Sequence, residues 1–152
     1  MWSKEDNFRY EVNVPLPLNR LNKPYVILGY MESCGIWWGI DDRPTVYILS
    51  GYNFEPEYEF THFKMVKEKE TEKFQTVELR YRKLLCLAFE RNVFLLSLEK
   101  RELITQLRSF KSSITSIAFS ETYQALFVST FDNSFASYEL SQHMDLTEKG
   151  VF

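Results

Sequence analysis

Histidine and cysteine, the residues most often found in zinc sites and as nucleophiles or general bases, are scarce in this sequence, with two of each. The two histidines, His62 and His143, stand far apart, and neither belongs to a Cys/His pattern with zinc-ligand spacing. The adjacent carboxylates Asp41-Asp42 could form an acid–base pair. Arg43-Pro44 follows them, however, and such a run is typical of a tight turn. We therefore predict no catalytic residue and no metal site.

The glycines and serines also give no sign of an enzyme. A phosphate-binding loop places glycines between a strand and a helix, whereas Gly29, Gly35 and Gly39 fall within runs that we predict to be strands. No G-x-S-x-G nucleophile elbow occurs in the sequence. We therefore expect a protein without cofactor and without enzymatic activity.

Composition bounds the class of protein and its surroundings. At 152 residues, the chain has the length of a single domain, and its hydrophobic content of 45% is sufficient to form a buried core. A formal net charge of −3 disfavours nucleic acid as a partner. Residues 1–6 lack the apolar core of a signal peptide, and no apolar run reaches the length of a membrane span. Cys34 and Cys86 lie inside apolar runs and favour buried thiols over a disulfide, so we expect an intracellular protein, cytoplasmic or nuclear.

The stretch 109–140 is the clearest structural signal, because it contains three short runs that are rich in β-branched and aromatic residues. Ile114 to Phe119, Ala125 to Thr130 and Phe135 to Leu140 are each apolar on both faces, which predicts strands covered on both sides. Asp132-Asn133 closes the second run as a hairpin turn, since both side chains tolerate a left-handed backbone.

The spacing of this stretch resembles one repeat of a tryptophan–aspartate (WD-repeat) β-propeller. Ser109-Phe110 falls where that family usually carries Gly-His, and Ile114 and Phe119 fall on its apolar first-strand positions. Asp132 keeps the family's turn aspartate, while Tyr138-Glu139 takes the place of the naming Trp-Asp pair. With Phe110 for His and Tyr138 for Trp, the buried polar tetrad that often braces such a repeat cannot form.

Two further units precede this one. Residues 25–65 and 72–107 each contain four runs of strand character. The motifs V-Y-I-L-S at Val46, V-F-L-L-S at Val93 and F-A-S-Y-E at Phe135 recur 47 and then 42 residues apart, which is the period of a four-stranded propeller blade. In this register Leu96 and Tyr138 occupy equivalent positions in the cores of successive blades. The runs that we predict are 25–31, 35–40, 45–50, 58–65, 74–79, 84–89, 93–98 and 103–107.

Three segments allow other interpretations. Residues 84–107 are rich in leucine, lysine, glutamate and arginine, which favour a helix, and Leu84, Leu87, Ala88 and Arg91 fall at helical spacing. The cluster Val93-Phe94 and the symmetry with the flanking units favour strands. Residues 1–24 form an N-terminal arm in which Phe8 to Val14 could be one closing strand, and 141–152 form a polar C-terminal tail. Lys64 to Lys73 is highly charged and indicates a solvated loop.

A closed antiparallel β-barrel is the alternative architecture. Trp37 and Trp38 are adjacent on a predicted strand, so their rings must point to opposite faces. In a barrel one ring would line a cavity, and Gly35-Ile36-Trp37 matches the short G-x-W signature of ligand-carrying barrels of the lipocalin kind. This architecture would imply an intracellular protein that binds a small apolar ligand.

We favour an all-β chain of about three four-stranded propeller-like blades. Propellers close as rings of typically four to eight blades, so three blades form an incomplete propeller. The resemblance implies a non-catalytic protein–protein interaction or scaffold module, with a protein partner or a second copy covering its open blade faces. The sequence does not indicate which surface binds a partner.

Overall fold

A computed structural model of the chain describes residues 25–61, 74–107, 110–142 and 145–151. These residues form twelve strands in three separate four-stranded antiparallel sheets. The first sheet is β1–β4, the second β5–β8 and the third β9–β12, and each is a meander in which consecutive strands pair. The strands are β1 Tyr25–Met31, β2 Ile36–Asp41, β3 Val46–Leu49, β4 Pro56–Glu59, β5 Phe74–Leu79, β6 Leu84–Phe89, β7 Asn92–Ser97, β8 Glu102–Leu107, β9 Ile114–Ser120, β10 Ala125–Thr130, β11 Phe135–Leu140 and β12 Leu146–Val151.

The second sheet lies between the other two, which explains its uninterrupted apolar sequence. All six residues of β6 are buried. Leu85 and Leu87 belong to a cluster shared with the first sheet, whereas Leu84 and Cys86 belong to a cluster shared with the third. Because successive side chains of a strand point to opposite faces, a strand covered on both sides must be apolar at every position. The prediction of strands over 84–107 is confirmed, and the helical interpretation of that segment is wrong.

The third sheet is the terminal sheet of the stack, and it is covered on one face. In β10 and β11 buried residues alternate with half-buried or exposed ones, and the buried set faces the second sheet. The expectation that these strands are covered on both sides is therefore wrong. The opposite face carries several serines and alanines among its aromatic residues. Because these side chains are small or polar, the face can remain partly exposed to solvent.

Several boundaries differ from the sequence-based expectation, most of them by one residue at the end of a strand. Residues 146–151, which we assigned to a polar C-terminal tail, form β12 and pair with β11, because Leu146 packs into the cluster between the second and third sheets. The fourth strand of the first sheet begins at Pro56 rather than at Tyr58, and it ends at Glu59. Gly35 lies in the turn before β2 with a φ of 68°, a conformation that suits glycine, and not within a strand. The arm 1–24, including Phe8 to Val14, and the segment 64–73 lie outside the described residues.

The closed barrel is wrong, since the described strands form three stacked open sheets with a separate hydrophobic cluster at each junction. The two adjacent tryptophans do point to opposite faces of β2. Trp38 is buried in the cluster between the first and second sheets, and Trp37 packs on the outer face of the first sheet. Neither lines the cavity of a barrel. The fold prediction of three four-stranded units is confirmed.

Candidate functional site

The turn at Asp132 is held by the aspartate side chain itself. Thr130 Oγ1 donates to Asp132 Oδ1 at 2.5 Å, and the backbone N–H of Ser134 donates to the same oxygen at 3.2 Å. Asn133 takes the left-handed conformation that this turn requires, with a φ of 66°. These hydrogen bonds, chiefly the one from Thr130, lower the pKa of Asp132. The contacts of the carboxylate are those of a turn.

Three of the residues named from the sequence line a single cavity. Phe110 and Tyr138 make an edge-to-face contact with ring centroids 6.0 Å apart and planes at 68°. Together with Asp132 they line a cavity of about 310 Å³ on the face of the third sheet that points toward the second sheet. The other lining residues are Lys111, Val128, Thr130, Ser134, Ala136 and Glu148.

The remaining two residues named from the sequence lie elsewhere in the core. Phe119 is half-buried in the cluster between the second and third sheets, while Leu96 is fully buried between the first and second. Leu96 and Tyr138 both lie on the side of their sheet that faces the preceding sheet. Their contacts are those of packing residues.

The two adjacent carboxylates do not form an acid–base pair. Asp41 is fully buried and accepts hydrogen bonds from the backbone N–H groups of Arg43 and Thr45, at 3.0 and 2.9 Å. Its other oxygen accepts from Arg43 Nε at 2.9 Å and from the Tyr47 hydroxyl at 3.0 Å. With these donors and the paired guanidinium, Asp41 stabilises the β2–β3 connection.

Both cysteines are free thiols. Cys86 is completely buried, and the burial raises its pKa to about 12. Cys34 is half-buried in the β1–β2 turn, and its pKa is also raised, mainly by burial and then by the nearby Glu99. A nucleophilic cysteine needs a lowered pKa, so neither thiol is activated.

Metal and membrane functions find no support in the described part of the chain. Within it, no group of three or more His, Cys, Asp or Glu side chains is placed to hold a metal ion. The same residues include no helix that is long and apolar enough to cross a lipid bilayer. Both histidines, His62 and His143, lie outside the described ranges.

One end of the stack brings together loops from all three sheets, and we name it the tyrosine end. It consists of the turns between the first and second strands and between the third and fourth strands of each sheet. Arg82 connects the second sheet to the third, since its Nε donates to Gln124 Oε1 at 3.0 Å and its Nη1 to the Ser141 carbonyl at 2.9 Å. The Tyr58 hydroxyl connects the first sheet to the second by donating to the Arg101 carbonyl at 3.0 Å.

The turns of each sheet at this end contain one exposed tyrosine. Tyr52, Tyr81 and Tyr123 have exposed fractions of 95%, 83% and 74%. Tyr52 lies in the β3–β4 turn, Tyr81 in the β5–β6 turn and Tyr123 in the β9–β10 turn. No motif or repeat in the sequence marks these three residues. Their position could still have suggested a role in binding, because an aromatic residue in a predicted turn is not expected to be buried in the core.

The three sheets match solved propellers in a comparison of structures. The chain is similar to the β-propeller domain of Cps50 (Swd1) from Myceliophteria thermophila, with a TM-score of 0.54 and 16% identity over 77% of this chain and 41% of that one. It is also similar to a chain in the crystal structure of the Mitotic Checkpoint Complex, with a TM-score of 0.64 and 12% identity over 82% of this chain and 39% of that one. This protein has the fold of β-propeller blades.

The resemblance to WD-repeat propellers is thus confirmed at the level of the fold. This chain spans about two fifths of the length of the solved chains that it matches. No protein-family model matches the sequence. No curated protein matches it either.

Proposed function

We propose that this protein is a non-catalytic scaffold module that acts inside the cell as part of a larger assembly. A fold alone does not define a function, so the proposal rests on the surfaces of the molecule. The carboxylates of Asp41 and Asp132 are engaged in turns, and both thiols have raised pKa values. The chain from the Mitotic Checkpoint Complex is a propeller-like neighbour found in a multiprotein complex.

The outer face of the third sheet carries the proposal. Phe127 and Phe135 stack there with ring centroids 5.7 Å apart and an angle of 22° between the planes. Phe135 is 37% exposed. The residues paired with these two phenylalanines across the sheet are small, namely Ala118, Ser129 and Ser137. An aromatic pair surrounded by small side chains lets another sheet approach closely, since packed sheets lie about 10 Å apart.

A second copy of the chain is the occupant that we propose for this face. On the outer face of the first sheet Tyr47 and Leu49 are already buried, whereas Phe135 on the outer face of the third sheet is exposed. A contact between two third sheets about a two-fold axis would cover this exposed face in both copies. Self-complementary contacts of this kind are the commonest route to an oligomer. The two copies would form a stack of six sheets.

Sedimentation equilibrium at micromolar concentration tests this proposal. The wild-type protein should have twice the chain mass of 18.2 kDa. Phe135→Glu should give the mass of one chain, because the new carboxylate would be buried without a partner. The control Phe131→Glu changes a phenylalanine in the β10–β11 turn that is 78% exposed, and it should leave the pair intact.

A further variant distinguishes the two ways of packing. Tyr30 lies at the edge of the outer face of the first sheet and packs against Trp37, with ring centroids 4.8 Å apart and planes tilted by 40°. Tyr30→Glu should not affect the pair that we propose, whereas it would dissociate a head-to-tail ring. A wild-type protein that remains a single cooperatively folded chain at 100 µM, roughly the upper end of ordinary self-association assays, would refute the pairing.

A further inference from the structure

We propose that the tyrosine end binds a short acidic segment of a partner protein. This inference rests on the proposed scaffold function and specifies the partner. The three exposed tyrosines indicate a binding surface, since tyrosine and arginine are enriched among the residues that dominate binding energy at protein interfaces. Tyr52, Tyr81 and Tyr123 present large, stiff side chains at little entropic cost.

The positive charges of the second sheet also support this inference. Its two loops at this end, 80–83 and 98–101, contain five cationic residues and Glu99 as their one carboxylate. Arg80, Lys83, Lys100 and Arg101 are exposed. Two long ion pairs reduce this charge slightly, with 3.4 Å between Lys83 Nζ and Glu99 and 4.0 Å between Arg101 Nη2 and Glu57. The five cations are Arg80, Arg82, Lys83, Lys100 and Arg101.

The flanking sheets have the opposite charge at the same end. The loops of the first sheet carry Glu32 and Glu55, and those of the third carry Glu121 and Asp145. A ligand with a few carboxylates can lie on the central cations, but a long phosphate backbone would cross the acidic loops on either side. The formal net charge of −3 further opposes nucleic acid. The pattern therefore favours a short acidic peptide over DNA or RNA.

The geometry places a tyrosine beside the cations and one on each side of them. Tyr81 lies in the same turn as Arg80 and Lys83, while Tyr52 and Tyr123 lie in the adjoining sheets. An acidic segment that contains an aromatic or aliphatic residue would make charge contacts over the second sheet and apolar contacts with the tyrosine rings. Such a surface combines electrostatic attraction with the stacking area that gives affinity.

Selection from a random 12-residue peptide library displayed on phage, against the immobilised protein, tests this inference. Enriched peptides should be rich in Asp and Glu and should contain aromatic residues. Synthetic fluorescein-labelled versions should bind in anisotropy titrations, and the Kd should rise as salt increases from 50 to 300 mM, since screening weakens exposed charge pairs over roughly this range.

Matched variants locate the binding surface. Arg80→Glu/Lys100→Glu should weaken binding about tenfold or more, and Tyr81→Ser by about tenfold, which is a typical loss for a central aromatic contact. The control Arg91→Glu/Lys111→Glu makes the same change of charge at exposed residues of the opposite loop end, and it should change the Kd less than about twofold.

Three outcomes would overturn the inference. They are a selection without acidic enrichment, peptide binding that Arg80→Glu/Lys100→Glu leaves intact, and tighter binding of a 20-nucleotide single-stranded DNA or RNA that the same variant abolishes. The sedimentation mass of Arg80→Glu/Lys100→Glu should equal that of the wild type. Loss of peptide binding is therefore distinguishable from failure of the two-copy pairing.

Discussion

Gly29→Ala should strongly destabilise the junction between the first and second sheets. Gly29 on β1 pairs directly with Trp38 on β2, and the indole lies across the glycine. A Cβ atom added at Gly29 would lie 2.2 Å from Trp38 Cζ2 and 2.3 Å from Cε2, far inside van der Waals contact. The indole would have to move, although it is buried in the core cluster.

The loss of stability can be estimated from the packing and the hydrogen bond of the Trp38 indole. Trp38 Nε1 donates to Glu78 Oε1 at 3.0 Å and so joins the first two sheets. Overpacking of a core costs about 1–3 kcal/mol. A lost hydrogen bond to a carboxylate adds about 1.5–3 kcal/mol. Alanine restricts the backbone of the unfolded chain more than glycine does, and this effect offsets about 0.4–1 kcal/mol of the loss in stability. We expect a net loss of about 2–4 kcal/mol, since the indole need not lose its hydrogen bond completely.

Urea denaturation followed by circular dichroism measures this loss. Gly51→Ala is a matched control, because its added Cβ would lie 3.5 Å from Trp37 Cδ1, in ordinary contact, and it should change stability by less than about 0.5 kcal/mol. In a Trp38→Phe background the smaller ring makes room, so Gly29→Ala should cost less than in the wild type. A loss below about 0.5 kcal/mol in the wild type, or the same loss in both backgrounds, would refute the reasoning.

Two other predictions concern buried groups. Tyr138→Ala should cost about 3 kcal/mol, the lower end for a large buried side chain because a cavity already lies beside the ring, and a loss below about 1 kcal/mol in urea would contradict the packing. Cys86 should react with a thiol reagent at pH 8 only after unfolding. Since its pKa of about 12 in the folded protein exceeds the unfolded value of about 8.5, the thiol stabilises the fold fully below pH 8.5. That contribution is lost as the pH rises from there toward 12, so the urea midpoint should fall less over this range in Cys86→Ala.

The sequence predicted the strands well where the local pattern alone was sufficient. Short runs of β-branched and aromatic residues, broken by turn residues, fixed β1, β5, β6, β10 and β11 at the bounds observed. The opposite orientation of Trp37 and Trp38 needed only the two-residue period of a strand. Prediction failed at β12, because Leu146-Thr147-Glu148-Lys149 is mostly polar and becomes a strand through its pairing with β11.

The functional surfaces were much less predictable. Asp132 was predicted to lie in a turn, and Phe110 and Tyr138 were predicted to lie in the core of a blade. Nothing in their spacing in the sequence showed that the three residues line one cavity. The three exposed tyrosines come from turns about 29 and 42 residues apart, and an aromatic residue in one turn carries no sign of its neighbours. Their placement at one end of the molecule depends on how the sheets stack.

The sequence by itself determined that this chain forms β-strands in three repeating units, because strand formation and turn formation depend on residues close together in the chain. Only the tertiary structure decided that the second sheet is covered on both faces, that the third is open on one, and that the exposed tyrosines of the three sheets lie at the same loop end as the cations of the second. These properties arise from contacts between side chains tens of residues apart, and they depend on which faces the hydrophobic effect brings together rather than on local preference.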